Sequence, residues 1–222
     1  MQVISKVQES VLRRFSGVPE SGSFYLTGGT ALAHFYLKHR QSNDLDFFTT
    51  VEEMIDPFGR RLEETLRSDG MEVERKRGFR SFVELLAKEG GEQTVIQLAL
   101  DSVFRFEPVK VFSEYPGLNV DGLVDIASNK LLALFGRAAL RDFIDVFTLI
   151  KKGHFSPETL LENAKQKDPG FDLYWLGVAF ERIKTFPESS PDMLMLAEPV
   201  SFQELRAFFD AWRQEIAKNL SA

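Results

Sequence analysis

Two aspartates, Asp44 and Asp46, flank a single leucine in the run Ser42-Asn43-Asp44-Leu45-Asp46-Phe47. On an extended strand, side chains at i and i+2 leave on the same face, with Cα atoms about 6–7 Å apart. The two carboxylates therefore converge, while Leu45 and Phe47 turn to the opposite side. Adjacent carboxylates repel each other, and a bound divalent cation relieves that repulsion. A solvated strand face satisfies the same pattern, so the pair alone decides nothing. Upstream, Leu26-Thr27-Gly28-Gly29-Thr30 sets two glycines between a predicted strand and a predicted helix. Glycine lets backbone come close to a ligand, and the start of a helix offers unpaired N–H groups and a positive dipole end to a phosphate. A tight turn without any ligand also accounts for the glycines. Ser42 is either a turn residue or a hydroxyl in reach of a phosphate oxygen.

Further along, Lys130 lies four residues from both Ile126 and Leu134, on an apolar helix stripe. An inward lysine calls for an anion; a lysine snorkelling from a helix end fits the same spacing. Arg141 and Asp145 are also four apart, which suits a helical ion pair. The stretch Arg75-Lys76-Arg77-Gly78-Phe79-Arg80 gathers four cations around a hairpin turn expected at Gly78, a place where a nucleic-acid backbone could touch. A solvated sheet edge is the plainer reading of such a run.

The elements that must position these residues follow from periodicity and breakers. Apolar residues Val3, Ile4, Val7, Val11, Leu12 and Phe15 recur at helical spacing. A short strand over 24–27 follows, then the glycine turn, a helix over 30–38 and a strand over 44–50. A helix over 58–68 leads to strands near 71–77, 79–87 and 94–101. Beyond Asp121-Gly122 the pattern is helical, with a loop over 187–199 before a last helix at 202–217. We expect a mixed α/β domain over 1–121 and an α-helical domain over 122–222.

The 222 residues suffice for one large or two small domains. Cysteine is absent, which removes disulfides, thiolate metal sites and cysteine nucleophiles. The three histidines, His34, His39 and His154, are scattered, so a metal would be held by carboxylates, favouring a hard cation such as Mg²⁺. A net charge of -6 argues against a broadly basic nucleic-acid surface. With no long apolar run and no signal-peptide pattern at the start, a cytoplasmic protein without a membrane segment is expected.

Taken together, a G-G turn, one helix and a D-x-D strand resemble the nucleotidyltransferase superfamily. More narrowly, residues 26–33 and Tyr36-Leu37-Lys38-His39-Arg40-Gln41-Ser42-Asn43-Asp44-Leu45-Asp46-Phe47-Phe48 resemble the AbiEii/AbiGii toxin family, bacterial toxins of toxin–antitoxin and phage-defence systems. Asp125-Ile126-Ala127-Ser128-Asn129-Lys130-Leu131 and Arg141-Asp142-Phe143-Ile144-Asp145 look like that family's helical half. The resemblance implies an α/β (α+β) fold: a mixed sheet with flanking helices, followed by a helical domain. It implies an enzyme moving a nucleoside monophosphate from an NTP to an acceptor, with RNA such as the tRNA 3′ end first and a protein second. An NTP- or GTP-binding module without transfer is the alternative, and a cognate antitoxin protein is an implied partner. Gly28, Gly29, Thr30, Ser42 and Lys130 would then contact the nucleotide. Asp44 and Asp46 would hold Mg²⁺, and Asp44, Asp46, Lys130 and Asp145 would carry catalysis. The sequence departs from the pattern at the third carboxylate. Gln97 stands where many relatives have an acid, and Asp101, at the end of that strand, is the candidate substitute for the metal.

Overall fold

A computed structural model describes residues 2–221. The chain divides into two compact units, Met1–Leu123 and Val124–Ala222. The first opens with α1 (Lys6–Phe15) and continues through β1 (Tyr25–Thr27), α2 (Gly28–Ala31), β2 (Asp44–Thr49) and α3 (Ile55–Ser68). Strands β3 (Glu72–Phe79), β4 (Phe82–Glu89), β5 (Glu92–Leu100), β6 (Lys110–Val111) and β7 (Asn119–Val120) complete it. They form one seven-stranded sheet in the order β3-β4-β5-β2-β1-β7-β6. The sheet is mixed: β2 runs parallel to β5 and β1 parallel to β7, while the remaining neighbours are antiparallel.

Alternation along the central strands sorts the two faces. In β2, Leu45 and Phe47 are fully buried, whereas Asp44, Asp46 and Phe48 are partly exposed. On the buried face, Phe47 of β2 stacks on Phe15 of α1 with ring centroids 3.7 Å apart, and Phe58 of α3 meets Phe15 at 5.2 Å and Phe24 at 4.3 Å. Gly59 lets α3 come close, since a Cβ there would lie 3.1 Å from Val83 and 3.3 Å from Leu98. Two helices thus cover one side of the sheet, and the acidic side of β2 faces away from them.

Several local expectations shift. The helix expected over 30–38 begins at Gly28 and widens into a π-helix over Leu32–Leu37, which ends at Lys38 in the left-handed region, φ 54°. Gly78 lies inside β3, and the chain reverses at Arg80-Ser81 instead. A bulge between Arg75 and Arg77 shifts the register there, a feature that periodicity does not reveal.

The second unit contains α4 (Leu123–Arg137), α5 (Leu140–Lys151), α6 (Pro157–Lys167), α7 (Leu173–Phe180), α8 (Pro191–Leu194) and α9 (Phe202–Ser221). The short α8 lies in the segment expected to be a loop. Ring contacts knit α5, α7 and α9: Phe209 meets Phe143 at 4.8 Å and Phe180 at 5.0 Å, and Trp212 meets Phe180 at 5.1 Å. Ser156 and Asp172 cap α6 and α7 by accepting from the Thr159 and Trp175 amides. Among the described residues, no helix is long and apolar enough to cross a membrane.

Candidate active site

The path into β2 is fixed by three side chains acting on three successive carbonyls. Ser5 and Gln8 form a capping box at the start of α1, and the other end of the Gln8 amide donates to the Ser42 carbonyl at 2.9 Å. Thr94 of β5 donates to the Asn43 carbonyl at 2.7 Å. Thr30 of α2 donates to the Asp44 carbonyl. The acidic strand is therefore tied to α1, α2 and β5 just where its first aspartate emerges. Thr30 is fully buried, and its hydroxyl positions β2.

Asp46 and the glycine turn form one piece of structure. Thr27 pairs with Asp46 across β1 and β2, and the chain then turns at Gly28, whose φ is +70°. A Cβ on Gly28 would lie 2.1 Å from Asp46 Oδ2, so the carboxylate occupies the space that any side chain would need. Gly29 is similarly crowded: its Cβ would lie 2.8 Å from an Arg40 guanidinium nitrogen and 2.9 Å from Ser42 Oγ. Backbone amides at the head of α2, the Ser42 hydroxyl, the buried Arg40 and the Asp46 carboxylate are thus drawn together. Arg40 escaped the sequence reading because a cation beside a histidine in a loop carries no periodic signal. Gly28→Ala is expected to cost roughly 1–3 kcal/mol, the usual strain of a non-glycine residue in the left-handed region, plus displacement of Asp46. An unchanged urea midpoint for that variant would contradict the packing.

Strand register defines the rest of the row. Asp46 faces Gln97 on β5, Gln97 faces Glu84 on β4, and Glu84 faces Arg77 on β3. The Gln97 amide donates to Glu84 at 3.2 Å, and Arg77 lies 3.7 Å from the same carboxylate. Asp101 does not join this row. It sits four residues beyond Gln97, about 13 Å along the strand, where it accepts from the Tyr25 hydroxyl and from the Ser102 amide. Burial first, then the bond to Asp101, raises the Tyr25 phenol above its ordinary pKa, so Tyr25 remains a donor. Asp101 therefore serves as an acceptor for Tyr25 and Ser102, apart from the row that carries Asp46. Among the described residues, no group of three or more histidine, cysteine or acidic side chains is placed to hold a metal ion. Two carboxylates still fit Mg²⁺, which keeps several waters and commonly takes only one or two carboxylates together with substrate phosphates.

The basic cluster is neutralised on the spot. Arg75 binds Glu63 and Asp56, both at 2.9 Å, and Lys76 binds Glu74 at 2.6 Å. Arg80 meets Glu52 at 3.2 Å and Glu53 at 3.5 Å. With Arg77 beside Glu84, each cation already faces a carboxylate, and the cluster is a paired sheet edge.

In the helical unit, Lys130 does point inward and does meet anions, but they are the protein's own. Its ammonium lies 2.7 Å from Asp145 and 3.6 Å from Asp142. Arg137 grips Asp142 through two bonds of 2.8 and 2.9 Å. Both aspartates are fully buried, and the Lys130 side chain is 7% exposed. Lys130 and Asp145 are thus brought together as an ion pair joining α4 to α5.

A family profile described as "Nucleotidyl transferase AbiEii toxin, Type IV TA system" matches residues 10–221. An uncharacterised protein of Aquifex aeolicus, aq_aa25, is 26% identical over 99% of this chain and 100% of its own length. Two solved Helicobacter pylori structures share the fold. One, a candidate nucleotidyltransferase, superposes with a TM-score of 0.58 at 21% identity, covering 97% of this chain and 94% of that one. JHP933 does so with a TM-score of 0.55 at 20% identity, covering 97% and 91%.

Proposed function

The chain belongs to the AbiEii nucleotidyl transferase toxin family and is a nucleotidyltransferase, and from that premise we propose that it moves a nucleoside monophosphate from Mg²⁺-bound NTP to a hydroxyl of RNA, such as the tRNA 3′ end. The observation that carries this reading is the contact of Asp46 with Gly28. It sets one carboxylate of the pair against the glycine turn, which supports reading the two as one site.

In this reading the triphosphate lies over the head of α2, where backbone amides and the Ser42 hydroxyl hold its oxygens in place. The buried Arg40 adds positive charge beside Gly29. Asp44 and Asp46 would hold the cation, which when bound would screen the triphosphate and lower the pKa of the acceptor hydroxyl. The acceptor oxygen attacks the α-phosphorus, the bond to the bridging oxygen breaks, pyrophosphate leaves, and the hydroxyl proton passes to solvent. By the family resemblance alone, Lys130 would reach phosphate and Asp145 would be needed for activity; within the helical unit the two form an ion pair.

The wider role follows the family: a toxin held in check by a cognate antitoxin protein, acting in the cytoplasm and against phage. Gln97 in place of a third acid favours one other reading, an NTP- or GTP-binding module without transfer. Pyrophosphate release from NTP in the presence of total cell RNA separates the two. We expect release that stops with a chelator and returns with Mg²⁺. NTP binding without any release would select the binding module.

A further inference from the structure

The first unit is rich in phenylalanine, and most of it is paired. Phe15, Phe24, Phe35, Phe47, Phe58, Phe104, Phe106 and Phe112 each lie against another ring. Among the described residues of this unit, Phe48, Phe79 and Phe82 are the phenylalanines without a ring neighbour. These three share one row of the sheet. Phe48 faces Ala99, Ala99 faces Phe82, and Phe82 faces Phe79. Phe79 is 63% exposed, and Phe48 and Phe82 are half-buried.

Their place relative to the acidic row is fixed by alternation. Phe48 follows Asp46 by two residues and Phe82 precedes Glu84 by two, so the aromatic row lies on the same face, its Cα atoms about 6–7 Å along the strands from those of the acidic row. Ala99 separates Phe48 from Phe82, leaving a low floor between two rings whose Cα atoms are about 10 Å apart, two strand spacings.

The chemistry of transfer says which substrate reaches this side. In-line displacement puts the attacking oxygen opposite the leaving pyrophosphate. The glycine turn follows β1, on one flank of β2, and the aromatic row extends over β5, β4 and β3 on the other. With the triphosphate at the turn, the acceptor approaches from the aromatic flank. We propose that Phe48, Phe82 and Phe79 form a stacking platform for unpaired bases at the 3′ end of the acceptor RNA. The proposal rests on the RNA-transfer reading above. Rings on an open sheet face are a common way of holding unpaired bases. Stacking also suits a chain whose net charge is -6 and whose nearest cations already face acids.

The test measures RNA binding directly, with a hairpin carrying three unpaired 3′ nucleotides and the same hairpin blunt-ended. Phe79→Ala removes an exposed ring, and Phe82→Leu keeps apolar bulk at a half-buried position, so both variants should fold. Each is expected to weaken binding of the tailed hairpin by about 5- to 100-fold, the usual loss for one base–ring stack. The blunt hairpin and the NTP titration should match wild type, and the salt slope should be shallow. Unchanged affinity for the tailed RNA in both variants would overturn the platform. So would equal losses for both hairpins, a loss confined to NTP, or transfer to a protein with RNA ignored. Wild type that transfers to no RNA would sink the RNA-acceptor reading itself. Wild type that transfers while both variants bind normally would sink the platform alone.

Discussion

Asp44→Asn and Asp46→Asn are each expected to lower transfer by on the order of a thousandfold or more, with the circular dichroism spectrum unchanged. The cation's contribution to stabilising charge on a reacting phosphate is several kcal/mol, and each 1.36 kcal/mol is about a factor of ten. Neither aspartate is in the core; both emerge on the partly exposed side of β2. The strand is anchored instead by buried Leu45 and Phe47 and by the bonds to the Ser42, Asn43 and Asp44 carbonyls. Asparagine keeps the size of the side chain, so Gly28 keeps its neighbour. Full transfer in both variants, measured as pyrophosphate release with RNA present, would show that the pair is a solvated face.

Lys130→Met is expected to destabilise the protein strongly, even though methionine preserves the apolar stem. The ammonium lies between Asp145 and Asp142, both fully buried. Removing one partner of a buried ion pair commonly costs about 3–5 kcal/mol, because the remaining charge is stranded in low dielectric. Asp142 keeps its two bonds from Arg137, so the larger loss falls on Asp145, the carboxylate nearer the ammonium. Lys130→Met combined with Asp145→Asn should therefore recover much of the loss. Urea denaturation of the single and double variants measures this directly. A single variant as stable as wild type would return Lys130 to a role outside the fold. Activity measurements on Lys130→Met alone will mix folding with chemistry, and the double variant separates them.

The parts of this site that could be read in the sequence are those with a local signature. Alternation on a strand brings Asp44 and Asp46 to one face, and Gly28 announces a turn that its positive φ requires. Lys130 shows itself inward by its spacing from Ile126 and Leu134. What stayed hidden depends on partners distant along the chain. Gln8 holding the Ser42 carbonyl and Thr94 holding that of Asn43 are contacts that no short window contains. The same is true of Lys130 meeting Asp142 and Asp145 across two helices, and of the acids that neutralise Arg75 and Arg80. The two-residue strands β6 and β7 are too short for any periodicity. The turn misplaced at Gly78 has a different cause. Glycine is usually a good marker of reversal, but here it sits inside β3, with space for a Cβ limited by the Arg75 side chain at 3.2 Å. Asp101 shares the polar face of β5, which makes it a candidate by alternation alone. Register then showed that sharing a face is not sharing a place: Gln97, not Asp101, lies opposite Asp46.

The proposed reaction is transfer of a nucleoside monophosphate to RNA at the Asp44–Asp46 pair. It is tested most directly by incubating the protein with total RNA, Mg²⁺ and NTP labelled at either the α- or the γ-phosphate, then resolving the RNA on a gel. Label is expected in RNA from the α-labelled NTP, none from the γ-labelled NTP, and none from either with Asp46→Asn. Label entering RNA from the γ-position, or no label in RNA with any of the four NTPs, would contradict it.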